Sequence, residues 1–252
     1  MIFKRFAANL RAQNWGAILI EFGIVVAGVF VGTWVANLNQ QRIEVLETQQ
    51  MLRNLKPGLR SNLALFGTVR HYYVVTRRFG ATAFAGWRGE ATVSDRDFVI
   101  VAYQASQNNY TGINGGSWSQ AFGSDRLGTV TDPQLRKDLG QLMSIDYNVI
   151  EQEIFTDYRR HVRQVIPEEV QDAIRAQCGD RRNANGVQEL PKLCSLNLPS
   201  QRFAEAANAL RAHPELVGEL RWHFAAVATY TNNLELFETV SRRALDRIGE
   251  TT

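Results

Sequence analysis

The sequence predicts an all-α protein, with a single N-terminal transmembrane helix continuing into an extracytoplasmic helical bundle. Three observations carry that expectation. A run of 21 residues, Trp15 to Val35, is largely apolar, with Glu21 its one ionisable group. After it, Leu38, Val45, Leu52, Leu59, Phe66 and Tyr73 recur at intervals of seven, with Leu55 and Val69 on the adjacent row, which is helical spacing. Prolines and N-cap residues then cut the remainder into helix-length pieces, and no piece shows the convincing alternation of a half-buried strand.

The apolar run reads WGAILIEFGIVVAGVFVGTWV. At 1.5 Å per residue, Trp15 and Trp34 stand roughly 28 Å apart, close to the ~30 Å hydrocarbon thickness and suited to the interfacial aromatic belts. Lys4, Arg5 and Arg11 precede the run with no acid before it, whereas the first charge after it, Arg42, is soon offset by Glu44 and Glu47. Flanking cations stay in the cytoplasm. The expected topology is a signal anchor in a bacterial inner membrane, with the N-terminus cytoplasmic and residues 38–252 periplasmic. A cleaved signal peptide fits less well, because a cut after Ala36 places Trp34 where a small residue is needed. Phe3, Phe6 and Leu10 share a face among the cations, so the tail can lie along the inner leaflet.

Within the span, Gly28-Val29-Phe30-Val31-Gly32 is a small-xxx-small motif that lets helix backbones approach closely in lipid. A carboxylate there is costly unless paired, protonated or snorkelled. Glu21 lies about 9 Å inside Trp15, so it either reaches the headgroups or meets a donor on a neighbouring helix. Glu21, Gly28 and Gly32 are therefore the expected helix–helix contacts, and Trp15 and Trp34 the interfacial anchors.

No Gly/Pro/Ser-rich linker follows the span, so the helix is expected to continue as a stalk. Its sevenfold row argues for packing against its own domain core or a second subunit. Pro57-Gly58 should break it, since Pro57 removes a hydrogen bond and clashes with the preceding turn, with a second helix from about 59 to 79. Residues 80–94, rich in Gly, Ala and Thr, read as a loop. Ser94 caps the next helix, which carries Phe98 to Tyr103. Residues 107–116 read as a polar, turn-rich loop, and Ser117 caps a short helix bearing Trp118 and Phe122. Asp132-Pro133 opens a long helix to about Val165. Pro167-Glu168-Glu169 starts another, Ser200 caps one through about Ala212, and Pro214-Glu215 starts the last. The organisation is thus a cytoplasmic tail (1–14), an anchor helix (15–37), a stalk with the first helices (38–79) and a helical domain (80–252).

Cys178 and Cys194 bracket CGDRRNANGVQELPKLC, an irregular polar stretch. In an oxidising compartment they are natural disulfide partners, and closing such a loop contributes about 3 kcal/mol in the chain-entropy model.

Composition excludes several classes. With 45% hydrophobic and 21% charged residues the chain is neither disordered nor collagen-like. Residues 38–252 carry 25 basic and 24 acidic side chains, so the outer segment lacks the cation excess that nucleic acids demand. Walker, GxSxG, HExxH, paired CxxC and dinucleotide motifs are missing. Glu151, Glu153, Asp157, Arg159, Arg160, His161 and Arg163 read as a solvated, salt-bridged helix face rather than metal ligands. Trp118 with Tyr110 and its neighbouring glycines could line a small pocket, though a buried Trp is the commoner outcome. No catalytic residue, metal ligand or cofactor site is expected.

The stretch from Trp15 to Arg42 resembles a family of uncharacterised bacterial single-pass membrane proteins, a domain of unknown function with an acidic residue early in the anchor helix. Glu21, Gly28, Gly32, Trp34, Asn37 and Asn39 carry the resemblance, and Trp118, Gly128, Asp132, Leu135, Leu139 and Tyr147 fit its later pattern. The glycine that the family places just before the acidic residue is Ile20 here. The resemblance implies a topology and no reaction.

The expected function is a non-catalytic accessory or scaffolding subunit of a larger membrane complex, bound to an integral membrane partner or to itself. Respiratory and photosynthetic assemblies are a candidate setting because they recruit single-span subunits. The alternative is a periplasmic sensor or ligand-binding module, which would signal through a partner because residues 1–14 leave no room for an output domain.

Overall fold

The computed structural model describes residues 15–109, 127–182, 188–191 and 194–251. The elements are α1 (Trp15–Trp87), α2 (Asp95–Ala105), a 3-10 turn (Leu127–Thr129), α3 (Pro133–Met143), α4 (Tyr147–Gln152), α5 (Asp157–Val165), α6 (Glu168–Cys178), the two-residue strands β1 (Arg181–Arg182) and β2 (Gln188–Glu189), α7 (Ser200–Arg211) and α8 (Glu215–Thr251). The fold is all-α. Its strands form one short antiparallel pair, with Arg181 opposite Glu189 and Arg182 opposite Gln188. The chain divides into two compact units, Met1–Gln50 and Met51–Thr252.

In the first unit every residue from Phe22 to Glu47 is exposed. The exposed side chains include Phe22, Phe30 and Trp34 at 66%, 71% and 64%. The helix is long and apolar enough to cross a membrane, and none of its apolar window is buried, which separates it from the core helix of a soluble protein. The Thr33 hydroxyl donates to the carbonyls of Val29 and Phe30 at 3.0 Å, so that polar group needs no water.

In the second unit, the part of α1 from Met51 onward and α8 run antiparallel. Phe66 meets Phe237 with ring centroids 6.3 Å apart, Tyr73 meets Tyr230 at 5.7 Å, and Phe84 meets Phe224 at 6.3 Å. Leu52, Leu55 and Leu59 join α3 and the end of α8, through Leu135, Leu139, Val240, Ala244 and Ile248. A further cluster packs α2, α5, α6 and α7 around Phe98, Tyr158, Val162, Ile174 and Phe203. Each buried aliphatic or aromatic side chain contributes roughly 1.5–3 kcal/mol.

Three expectations of helix extent fail, each for a physical reason. α1 runs unbroken through Pro57. Pro57 and Gly58 face solvent while Leu55 and Leu59 are buried, so water can take the Arg53 carbonyl, and packing on one face offsets the lost bond.

The stretch from residue 80, read as a loop, is helical to Trp87. Its small residues serve close approach: a Cβ on Gly80 would collide with the Phe224 ring, and one on Gly86 with Phe98. The helix ends instead at Gly89, which has φ +69°. There the Gly89 amide donates to Gly86 and the Glu90 amide to Ala85, both at 3.1 Å, the Schellman arrangement.

The long helix expected from Pro133 to Val165 is three. Ser144 closes α3 by donating its amide to Gly140, Asp146 accepts from the Val149 amide at the start of α4, and Thr156 stands at the N-cap of α5.

Other signals match. The Ser94 hydroxyl accepts from the Asp97 amide, and Asp132 accepts from the amides of Gln134 and Leu135 ahead of Pro133. Ser200, expected as a cap, is instead the first residue of α7: Pro199, with its fixed φ, takes the cap position, and no side chain caps that end.

Candidate functional site

Cys178, at the end of α6, is joined to Cys194 by a disulfide, with the Cα atoms 5.3 Å apart. The bridge anchors the irregular segment that carries β1 and β2. Asp180 lies two residues beyond Cys178, and both of its carboxylate oxygens are engaged. The Tyr72 hydroxyl donates to Oδ1 at 2.8 Å and the Gln188 side-chain amide to Oδ2 at 2.6 Å. Burial pushes the Asp180 carboxyl above the usual range, against the pull of those bonds and of Arg159 and Arg163. Burial, then the Asp180 charge, raises the Tyr72 hydroxyl as well.

Beside this pair lies a buried polar turn. Gln104, Ser106, Gln107, Asn108 and Asn109 are all buried, and desolvated amides require partners. The Gln104 amide donates to the Cys178 carbonyl and Asn108 to the Ile154 carbonyl. The Asn109 amide donates to the Tyr73 hydroxyl at 3.1 Å. From α5, Arg159 donates to the Ser106 carbonyl at 2.7 Å and to Gln107 Oε1 at 3.2 Å. Arg163 donates to the same Gln107 oxygen at 2.8 Å and lies 4.5 Å above the Tyr103 ring. Burial, then the neighbouring Arg159 charge, lowers Arg163 to about 10.

His223, on α8, is buried against the start of α5, beside the Tyr158 ring. Its Nδ1 is 2.8 Å from the Thr156 hydroxyl. Burial, then the Arg159 charge, depress its pKa to about 4, so it is neutral at pH 7.

A separate cavity of about 440 Å³ opens between α1 and α2. Val75, Phe79, Val93 and Val101 supply its apolar wall, and Arg78, Thr82, Thr92 and Asp97 its polar one. Asp97 is held by the Ser94 hydroxyl at 2.7 Å.

The residues singled out in the sequence fall in two places. Cys178 and Cys194 join the polar region. Glu21, Gly28, Gly32, Trp15 and Trp34 stand on α1 in the first unit, where a Cβ on Gly28 or Gly32 would meet nothing within 4 Å. The side chains of Trp15 and Glu21, and all of residues 110–126 with Tyr110, Trp118 and Phe122, lie outside the described set. Of the charged run on α5, Asp157 and Arg160 do pair at an exposed site, and His161 reaches Glu219 at 2.7 Å. Among the described residues no group of three or more His, Cys, Asp or Glu side chains is placed to hold a metal ion.

Tyr72, Asp180, Gln107, Arg159 and Arg163 were not legible as a group. The available signal was the position of Arg159 and Arg163, each one residue after Tyr158 and Val162, the buried pair of α5. That places both guanidiniums at the edge of the apolar stripe instead of opposite it. The chain matches no protein-family model, no curated protein and no solved structure.

Proposed function

We propose that this chain is a single-span protein of a bacterial inner membrane, N-terminus cytoplasmic and residues 38–252 periplasmic, acting as a non-catalytic accessory or scaffolding subunit. One observation carries the reading. The helix of the first unit exposes its whole apolar surface, from Phe22 to Trp34 and beyond, whereas the second unit contains its own cores. Lipid is the solvent such a surface suits. The disulfide is consistent with export. Within lipid, Gly28 and Gly32 leave room for a second helix, from an integral membrane partner or another copy, and Glu21 supplies a carboxylate for it to meet.

The test is assembly in mild detergent. Native gels and quantitative mass spectrometry on the wild-type chain should recover a stoichiometric complex. The Glu21→Leu and Gly28→Leu/Gly32→Leu variants should release it while remaining folded. A lone monomer at native expression, or complexes indifferent to these substitutions, would reject the reading.

The 440 Å³ cavity favours a second reading, a ligand-binding module. Its apolar wall and its one arginine suit a small amphipathic acid. Arg78→Ala should then weaken binding of such a molecule without touching assembly.

A further inference from the structure

We propose that Arg159 and Arg163 form a binding site for a small oxyanion, a carboxylate or phosphate group, beside Gln107. The two guanidiniums come from positions four apart on α5 and converge on a single neutral acceptor, Gln107 Oε1, at 3.2 and 2.8 Å. Both are part-buried. Neither has a carboxylate within ion-pair distance among the described residues. Of the other part-buried arginines, Arg70 meets Glu238 at 2.9 Å, Arg211 meets Asp95 at 2.8 Å and Arg247 meets Asp132 at 2.9 Å, while Arg96 stacks over the Phe203 ring with no carboxylate beside it among the described residues.

Asp180 is the acidic group whose field these two arginines share, but its oxygens are turned to Tyr72 and Gln188. Among the described residues the pair therefore carries one cation more than its surroundings neutralise. Half-buried like charges repel, and such an excess is relieved by a counter-charge.

The geometry suits an oxyanion. Arg159 spends only Nη1 on the Ser106 carbonyl and Gln107, leaving Nε and Nη2 as an adjacent pair of donors without an acceptor among the described residues. Arg163 spends Nη2 on Gln107 and a long 3.5 Å contact from Nε on the Ser106 hydroxyl, leaving Nη1. A two-donor edge with a third donor beside it matches the oxygens of a carboxylate or phosphate. Tyr103 beneath Arg163 fixes the plane of that guanidinium. This inference rests on neither reading of the protein's function.

The experiment uses the full chain in non-ionic detergent, in a buffer free of phosphate and carboxylates. Thermal unfolding is followed while sodium phosphate, sodium succinate or, as control, sodium chloride is added at matched ionic strength. Phosphate or succinate should raise the midpoint along a saturating curve that chloride does not reproduce, and whichever saturates at the lower concentration identifies the anion class. Arg159→Gln and Arg163→Gln should each shift that curve to about tenfold higher concentration, as losing one charge-assisted contact does. Arg163→Lys, which keeps the charge without the fork, should fall between. Phenylglyoxal labelling of the wild-type chain gives a readout independent of variant folding, since the anion should protect Arg159 and Arg163 while exposed Arg221 stays reactive. Midpoints that follow ionic strength alone, or absence of selective protection, would overturn the site and leave the two arginines as braces of the 106–109 turn.

Discussion

Leu38 and Val45 belong to the same sevenfold row as Leu52, Leu59, Phe66 and Tyr73, yet the two ends of that row meet different surroundings. The first two are 40% and 50% exposed; the last four are 4%, 0%, 0% and 2% exposed. The residue types are alike. What differs is the element across from them. Leu52 and Leu59 share a cluster with Val240, Ala244 and Ile248, and Phe66 and Tyr73 share one with Val227, Tyr230 and Phe237. Within the described chain, Leu38 and Val45 have no such cluster. Periodicity thus identifies a face, and a second segment decides whether that face is core.

The sharpest way to break the comparison is to truncate one residue at each end of the row. Leu59→Ala should lower stability by about 2–5 kcal/mol, because the surrounding cluster cannot fully close on the cavity. Val45→Ala should change it by no more than about 0.5 kcal/mol. Urea unfolding of the full chain in detergent, read by tryptophan fluorescence, measures both. Equal losses would mean that Val45 is packed in the isolated protein as firmly as Leu59.

Packing also gives the second unit a response to pH. Buried His223 has a pKa of about 4 instead of the ordinary 6.5, from burial first and the Arg159 charge second. Below pH 6.5 the unfolded chain takes up a proton that the folded chain accepts only near pH 4. The stability contributed by neutral His223 is therefore complete above pH 6.5 and falls as pH drops from 6.5 to 4, by up to about 3 kcal/mol. His223→Gln keeps a polar partner for Thr156 and removes the titration. Its midpoint should vary less than that of the wild type across this window, and parallel curves would assign the acid sensitivity to other groups.

The same contrast explains what the sequence made legible. The apolar run, the caps Ser94 and Asp132, and the pairing of Cys178 with Cys194 are local signals, set by residues close in the chain, and all stand in the structure. The helical character of residues 80–87 was hidden because it depends on Phe224 and Phe98, distant in sequence, which require glycine at positions 80 and 86. The breaks at Ser144–Asp146 and Phe155–Thr156 carry ordinary cap residues that a continuous apolar pattern masked. The polar region was hidden for a deeper reason. Tyr72 on α1, Arg159 on α5 and Asp180 in the connection after α6 are far apart in the chain, and only the tertiary fold brings them together.

Pro57 offers the finest test of how far packing overrides local preference. It sits inside α1 on the exposed side, two residues from buried Leu55 and Leu59. A proline in a helix interior costs about 3 kcal/mol relative to alanine, yet here the helix continues through it, because the row from Leu52 to Tyr73 holds both halves against α8 and its neighbours. Restoring the amide should return part of that cost, less the entropy that proline removes from the unfolded chain. Pro57→Ala should raise stability by about 1 kcal/mol, seen as a higher urea midpoint with an unchanged slope. A loss would mean that the Pro57 ring itself helps to seat Leu55 and Leu59 in their cluster, and that the proline is part of the packing instead of a tolerated fault on its outer face.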